Sequence, residues 1–184
     1  MELDDNIHLN EYEIILSHIL EIQENTAEFA NRIETVLKEE ELMFSWRINI
    51  FENYEMAAFK LGRMSIFWKK AAVFYEHKKQ FLMNYNANID IINSVNLINE
   101  IEKTIMTLRP KIKKEEEVLM RMVKFFEEDY DTFREFLLIL NMVITAREVD
   151  EDLRNKVEYF LENTKKLDSS ARQILNMELK NKNF

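Results

Sequence analysis

The chain contains one glycine, Gly62, and one proline, Pro110, among its 184 residues. Sheets and tight turns depend on these residue types, because glycine supplies positive φ angles and proline supplies a fixed φ. A chain almost without them offers few places to turn and leaves long stretches in which a helix is undisturbed. The sequence therefore predicts an all-α fold of long amphipathic helices, forming a single domain over residues 1–184.

The bulk composition excludes several classes of protein. Cysteine is absent, which removes disulfides, thiolate metal ligands and cysteine nucleophiles and fits a reducing compartment. Residues 1–12 are acidic and lack the basic and apolar regions of a secretory signal. The longest apolar run, "FLLILNMVI" from Phe136, has about half the length of a membrane span. We expect a cytoplasmic chain that can still lie on a membrane surface.

The first helix is predicted over residues 5–38. Its main seam has alternating spacings of three and four: Leu9, Tyr12, Leu16, Ile19, Gln23, Thr26, Ala30, Ile33 and Leu37. A second stripe has a strict spacing of seven: Ile15, Ile22, Phe29 and Val36. Together the two stripes make an apolar face too wide for a two-stranded coil. We therefore expect an elongated antiparallel bundle or coiled coil in which each helix touches two neighbours.

Later helices are predicted from turn signals. A second helix should cover residues 42–85, with Gly62 marking a bend or a close helix contact, before an Asn-rich loop at 84–90. A third should cover residues 91–108, after which Pro110 either ends the helix or kinks one long element over 89–147. Asp150 is a predicted N-cap, so that residues 150–184 form an additional C-terminal helix.

The net charge of −9 is unevenly distributed. Residues 1–45 carry −10, residues 46–124 carry +5 and residues 125–184 carry −4. The basic middle stands out in an acidic chain and is the natural place to look for an acidic partner. Nucleic acid is not an expected partner, since the chain as a whole repels phosphate at long range.

The sequence contains no recognisable catalytic or metal-binding pattern. No histidine follows a glutamate by three positions, as di-iron helical bundles require. One glycine cannot build a glycine-rich phosphate-binding loop, and the sequence shows no recognisable pair of a nucleophile and its general base. We expect a non-enzymatic protein without cofactor, metal or small-molecule substrate.

Two sets of residues in the basic middle are candidate contact sites. Contact with a membrane or another acidic partner is predicted for the basic set, Arg63, Lys69, Lys70, His77, Lys78, Lys79, Lys111, Lys113 and Lys114. Contact with a partner helix is predicted for Phe67, Phe74 and Phe81, which form a shoulder one position before the predicted seam. Solvated lysines and core phenylalanines are the alternative readings of both sets.

Three segments carry a resemblance to a known family. "NYEMAAFKLGRMSIFWKKAAVFYEHKKQFL" (53–82) resembles the second helix of the BAR domains of sorting nexins, with Lys70-Ala71, Tyr75-Glu76 and Leu82 in matching places. "FFEEDYDTFREFLLIL" (125–140) is similar to the third helix of that family, and "AEFANRIETVLKEEEL" (27–42) to part of the first. No phox-homology segment accompanies them.

The resemblance implies a dimeric, crescent-shaped helical scaffold that binds curved acidic membranes in endosomal trafficking. The dimer would form through the helices, as a homodimer or a heterodimer. The alternative is a soluble helical adaptor or chaperone that binds a partner helix along Phe67, Phe74 and Phe81. An elongated dimer favours the first function, and a compact monomer favours the second.

Overall fold

The computed structural model describes residues 12–44, 51–86, 90–112, 117–164 and 167–182, and the regular secondary structure of these residues is entirely helical. The helices are α1 (Tyr12–Phe44), α2 (Phe51–Met83), α3 (Ile91–Leu108), α4 (Glu117–Thr145), α5 (Glu151–Asn163) and α6 (Ser169–Lys182). A 3₁₀ turn, Arg109–Lys111, follows α3. The predicted helical class is confirmed. The predicted start of the first helix, residues 5–11, lies outside the described residues.

The third predicted helix is confirmed at both ends. Asp90 caps α3, because its carboxylate accepts a hydrogen bond from the Asn93 backbone N–H at 3.0 Å. Pro110 lies in the 3₁₀ turn, and Ile112 beyond it is extended. Pro110 therefore ends the helix, and the alternative of one curved helix over 89–147 is wrong.

The predicted boundary between the first two helices is wrong. The structure continues α1 to Phe44 and begins α2 at Phe51, whereas the sequence predicted an end at 38 and a new start at 42. The segment "KEEEL" (38–42) consists of strong helix formers and contains no turn residue, so the helix runs through it. Residues 45–50 lie outside the described residues.

The C-terminal segment forms two helices instead of one. Asp150 caps α5 as predicted, with its carboxylate 2.8 Å from the Leu153 backbone nitrogen. The chain then leaves the helical path at Thr164 and starts again at Ser169. The Arg172 guanidinium bridges the break by donating to the backbone carbonyls of Leu161, Thr164 and Leu167. These bonds satisfy carbonyls that a helix end leaves without partners.

The core is built around aromatic rings that α2 and α4 contribute. Phe67, Phe74 and Phe81 of α2 are buried and meet rings of α4 edge-on. The ring centroids of Phe74 and Phe126 are 5.0 Å apart, and those of Phe81 and Phe133 are 5.9 Å apart. Edge-to-face pairs at these distances add about 0.5–1.5 kcal/mol each beyond their apolar burial.

The predicted partner-helix contact at Phe67, Phe74 and Phe81 is corrected by this packing. The three rings already face α4 within the same chain, so they do not form an exposed shoulder. The remaining helices complete the core, with α3 packed on α2 and α4, and α6 packed on α4 and α2.

Helix α1 lies at the edge of this core and packs extensively on α2. Its seam follows the predicted spacing, with Ile19 buried and Leu16, Gln23, Thr26 and Ala30 half-buried. Its second stripe differs from the prediction, because Ile22, Phe29 and Val36 are 49%, 61% and 52% exposed. Within the described part of the chain, no second helix therefore covers Ile22, Phe29 and Val36, although the sequence predicted a second neighbour there. The seam side chains of Ile33 and Leu37 lie outside the described residues.

Replacement of Phe74 by alanine should lower the free energy of unfolding by about 3–5 kcal/mol, since it opens a cavity among four ring partners. Urea unfolding followed by circular dichroism measures the change. Phe59→Ala removes an exposed ring from the same helix and is the matched control, with an expected change below about 0.5 kcal/mol. Equal losses in the two variants would contradict the assigned core.

Gly62 lies in the middle of α2, at a position where a bend or a close contact with another helix was predicted. A Cβ at this position meets no heavy atom within 4 Å, so the predicted close helix contact is absent. Gly62→Ala should raise the free energy of unfolding by about 0.5–1 kcal/mol, because alanine costs less backbone entropy in a helix. A loss of stability in the same urea titration would show that the position does require glycine.

Candidate functional site

The outward face of α2 carries an exposed apolar stripe. Phe59, Ile66 and Val73 are 67%, 47% and 47% exposed. They are seven residues apart, close to two helical turns, so they lie in one line along the helix. We call these three residues the outer stripe.

A basic edge runs between the outer stripe and the buried rings. Arg63, Lys70 and His77 each follow an outer-stripe residue by four positions, and Phe67, Phe74 and Phe81 follow the basic edge by four positions in turn. Each step of four residues turns about 40° around the helix. The three rows therefore lie side by side, with the phenylalanines facing the core and the outer stripe facing solvent.

At the opposite border of the outer stripe, Lys69 is exposed and follows Ile66 by three positions, whereas Glu76 holds the corresponding position after Val73. Positive side chains therefore lie on both sides of the outer stripe only at its middle, near Ile66. Long basic side chains can lay their methylene groups along an apolar surface while the charge stays in water. This face of α2 suits a partner that is apolar in the middle and anionic at its edges.

Lys78 does not belong to this surface, which corrects its inclusion among the predicted contact residues. Its side chain is 13% exposed, with Nζ 2.8 Å from the Asp168 carboxylate and 3.9 Å from that of Asp129. The same nitrogen lies 5.9 Å from the centroid of the Phe133 ring. Lys78 therefore ties α2 to α4 and to the residue before α6.

The other predicted basic residues lie apart from the outer stripe. Lys79 is exposed on α2, and Lys111 is exposed in the turn after α3. Lys113 and Lys114 lie outside the described residues. The contact predicted for these lysines with an acidic partner stays a prediction.

His77 lies beside a shallow groove where the start of α1 meets the end of α2. The groove has a volume of about 700 Å³ and is lined by Leu16, Lys69, Ala72, Val73, Glu76, His77 and Gln80. Burial lowers the pKa of His77 below its ordinary value, and its Nε2 atom is buried without a hydrogen-bond partner. His77 is therefore mainly neutral near pH 7, so Arg63, Lys69 and Lys70 supply the positive charge at this surface.

A second polar cluster, between α3 and α4, ties the two helices together. The Tyr130 hydroxyl donates to the Glu102 carboxylate at 2.9 Å, and Arg109 donates to Glu127 at 3.0 Å. Burial and the neighbouring Glu102 carboxylate raise the pKa of Tyr130, so the phenol keeps its proton. These groups line a cleft of about 240 Å³. Their charged and hydroxyl groups are engaged with one another, which is the arrangement of a structural tie.

The described part of the chain contains neither a metal-binding cluster nor a helix that could span a membrane. No three histidine, aspartate or glutamate side chains there are grouped so that they could hold a metal ion. No helix among those residues is both long enough and apolar enough to cross a bilayer. No protein-family model, curated protein sequence or solved structure matches the chain.

The sequence interpretation missed the outer stripe. It treated Phe67, Phe74 and Phe81 as the second apolar row of α2 and did not separate Phe59, Ile66 and Val73 as a third. The signal was present, because three apolar residues at a spacing of seven stood between Lys69 and the Arg63, Lys70 and His77 row. A row bordered by charge on both sides is typical of a helix face directed towards solvent.

Lowering the pH should destabilise the protein through His77. Its pKa is lower in the folded state than in the unfolded chain, so the unfolded chain binds more protons below about pH 6.5. The contribution of neutral His77 to the free energy of unfolding is fully present above that pH and is lost as the pH falls. Replacement of His77 by glutamine should therefore flatten the pH dependence of the urea midpoint between about pH 7.5 and 5.5.

His18→Gln is the matched control for that experiment, since His18 is exposed on α1. It should leave the wild-type pH dependence in place. If His77→Gln keeps the full wild-type slope, His77 is not the group that links pH to stability.

Proposed function

We propose that this protein is a non-enzymatic helical scaffold that binds anionic membrane surfaces through the outward face of α2 and acts as a dimer. The observation that carries the proposal is the exposed outer stripe with Lys69 on one side and Arg63 and Lys70 on the other. Helices bound at a membrane surface place apolar residues in the headgroup region and basic residues against the lipid charge.

The charges of the first two helices support α2 as the membrane-facing element. Helix α2 contains six lysines and arginines against three glutamates, whereas α1 contains eight glutamates against two basic residues. An anionic surface therefore attracts α2 locally although the whole chain is acidic. Basic residues near such a surface contribute about 1 kcal/mol each.

Self-association through α2 is disfavoured by the same charges. An antiparallel second copy centred on Ile66 would place Arg63 opposite Lys70 of that copy. Like charges directly across an interface oppose binding, so the outer stripe fits an anionic partner better than another copy of itself.

The adaptor function remains the second candidate, on a different surface from the one predicted. The groove beside Leu16, Val73 and His77 continues the outer stripe, and an apolar helix face could lie along both. The family resemblance adds the endosomal membrane as the proposed location of the first function.

Vesicle binding tests the proposed function. Wild-type protein should sediment with vesicles that contain phosphatidylserine at low salt, bind weakly to pure phosphatidylcholine and lose affinity as salt rises. Combined Lys69→Glu and Lys70→Glu substitutions should weaken binding at least thirtyfold, which corresponds to about 2 kcal/mol. Lys78 is left unchanged, because its reversal would break the contact with Asp168.

The matched control reverses two exposed lysines on other helices, Lys103→Glu on α3 and Lys124→Glu on α4. It makes the same change in net charge and should reduce vesicle binding far less than the α2 variant. If wild-type protein does not sediment with acidic vesicles at low salt, the proposed membrane binding is excluded. Equal losses in the two variants would show that net charge, and not the face of α2, is responsible.

A further inference from the structure

Helix α1 presents an exposed apolar stripe that is separate from the outer stripe of α2. We call Ile22, Phe29 and Val36 the α1 stripe; all three are about half-exposed or more, and the packed seam of α1 lies beside them. Their spacing of seven matches the predicted wide face that requires a second helical neighbour. Among the described helices, α1 packs extensively on α2 through its seam and not through this stripe.

The α1 stripe is self-complementary when two copies run in opposite directions. Phe29 is its midpoint, so an antiparallel copy places Phe29 against Phe29 and Ile22 against Val36. Two-fold symmetric interfaces have this property, since each contact is made twice. The stripe thus supplies both halves of an apolar contact without any other protein.

The polar row beside the stripe selects the antiparallel direction. Along one side of the stripe lie four exposed residues at a spacing of seven: His18, Asn25, Arg32 and Glu39. Antiparallel packing places Arg32 opposite Asn25 and Glu39 opposite His18. Parallel packing about a two-fold axis would put this row on opposite sides of the interface in the two copies, so that neither pairing would form.

We infer that a second copy of this chain packs on the α1 stripe, antiparallel, about a two-fold axis close to Phe29. This assigns an interface to the proposed dimer and rests on that part of the proposed function. It uses a different helix face from the lipid surface on α2. Vesicle binding and self-association are therefore measured separately, and the loss of one does not remove the other.

Cysteine cross-linking tests the direction of packing, because the chain has no cysteine of its own. Asn25→Cys and Arg32→Cys replace exposed side chains, and the Arg32–Glu28 ion pair that is lost lies on the surface and contributes little. Under oxidation, a mixture of the two variants should form a disulfide dimer between position 25 of one copy and position 32 of the other. Either variant alone should remain largely unlinked, because its two thiols are several residues apart along the axis.

A dimer linked through Asn25→Cys alone would overturn the antiparallel register. Absence of any linked dimer, together with a monomeric mass for the wild-type protein in sedimentation equilibrium, would overturn the inference as a whole. The inference would also be overturned if the chain stayed monomeric and formed complexes only with a different protein or with vesicles.

Phe29→Glu tests the same interface without cross-linking. It places charge at the centre of the stripe and should raise the dimer dissociation constant at least tenfold, with the helical circular dichroism signal retained. Ile14→Glu is the matched control, because Ile14 is also an exposed apolar residue of α1 but lies off the stripe. A dimer that survives Phe29→Glu as well as it survives Ile14→Glu would contradict the assigned surface.

Discussion

The edge-on packing of the α2 phenylalanines against the α4 rings is the constraint on which the rest of the structure depends. Phe67, Phe74 and Phe81 each contact one or more of Phe126, Phe133 and Phe136. Because these contacts fix the rotation of α2 about its axis, they also decide which residues face solvent. The outer stripe is exposed because it lies about 80° around α2 from the buried rings, beyond the basic edge.

A single helix thereby has a stabilising face and a candidate binding face. Only two steps of four residues separate the buried rings from the outer stripe, with the basic edge between them. Helix α1 shows a similar division, with a seam towards α2 and an exposed stripe beside it. In both helices the apolar content exceeds what the core of one chain uses, which is typical of proteins that bind a further surface.

Local signals were enough to predict the helical class and the limits of α3. The capping Asp90 and the proline at 110 act within a few residues of the ends that they determine. The limits of α1 and α2 were predicted wrongly, because "KEEEL" (38–42) contains no turn signal at all. Where no local residue forces a turn, contacts distant in sequence decide where a helix ends.

The candidate site could be predicted only in part, for a similar reason. Both apolar rows of α2 repeat at seven residues, so periodicity alone cannot say which row is buried. The decision comes from α4, more than 40 residues away in sequence. Lys78 was assigned to the surface because its partner, Asp168, is 90 positions further along the chain. Arg63, Lys69 and Lys70 stay predicted contact residues, and the apolar row between them became clear only in the structure.

The central claim is that one side of α2 is core and the other side meets an anionic surface. Thiol labelling of single-cysteine variants tests it most directly, with Ile66→Cys on the outer stripe and Ala71→Cys in the core. The account predicts rapid labelling of Ile66→Cys that acidic vesicles slow severalfold, and slow labelling of Ala71→Cys with or without vesicles. Equal labelling rates for the two variants, or an Ile66→Cys rate that acidic vesicles leave unchanged, would contradict it.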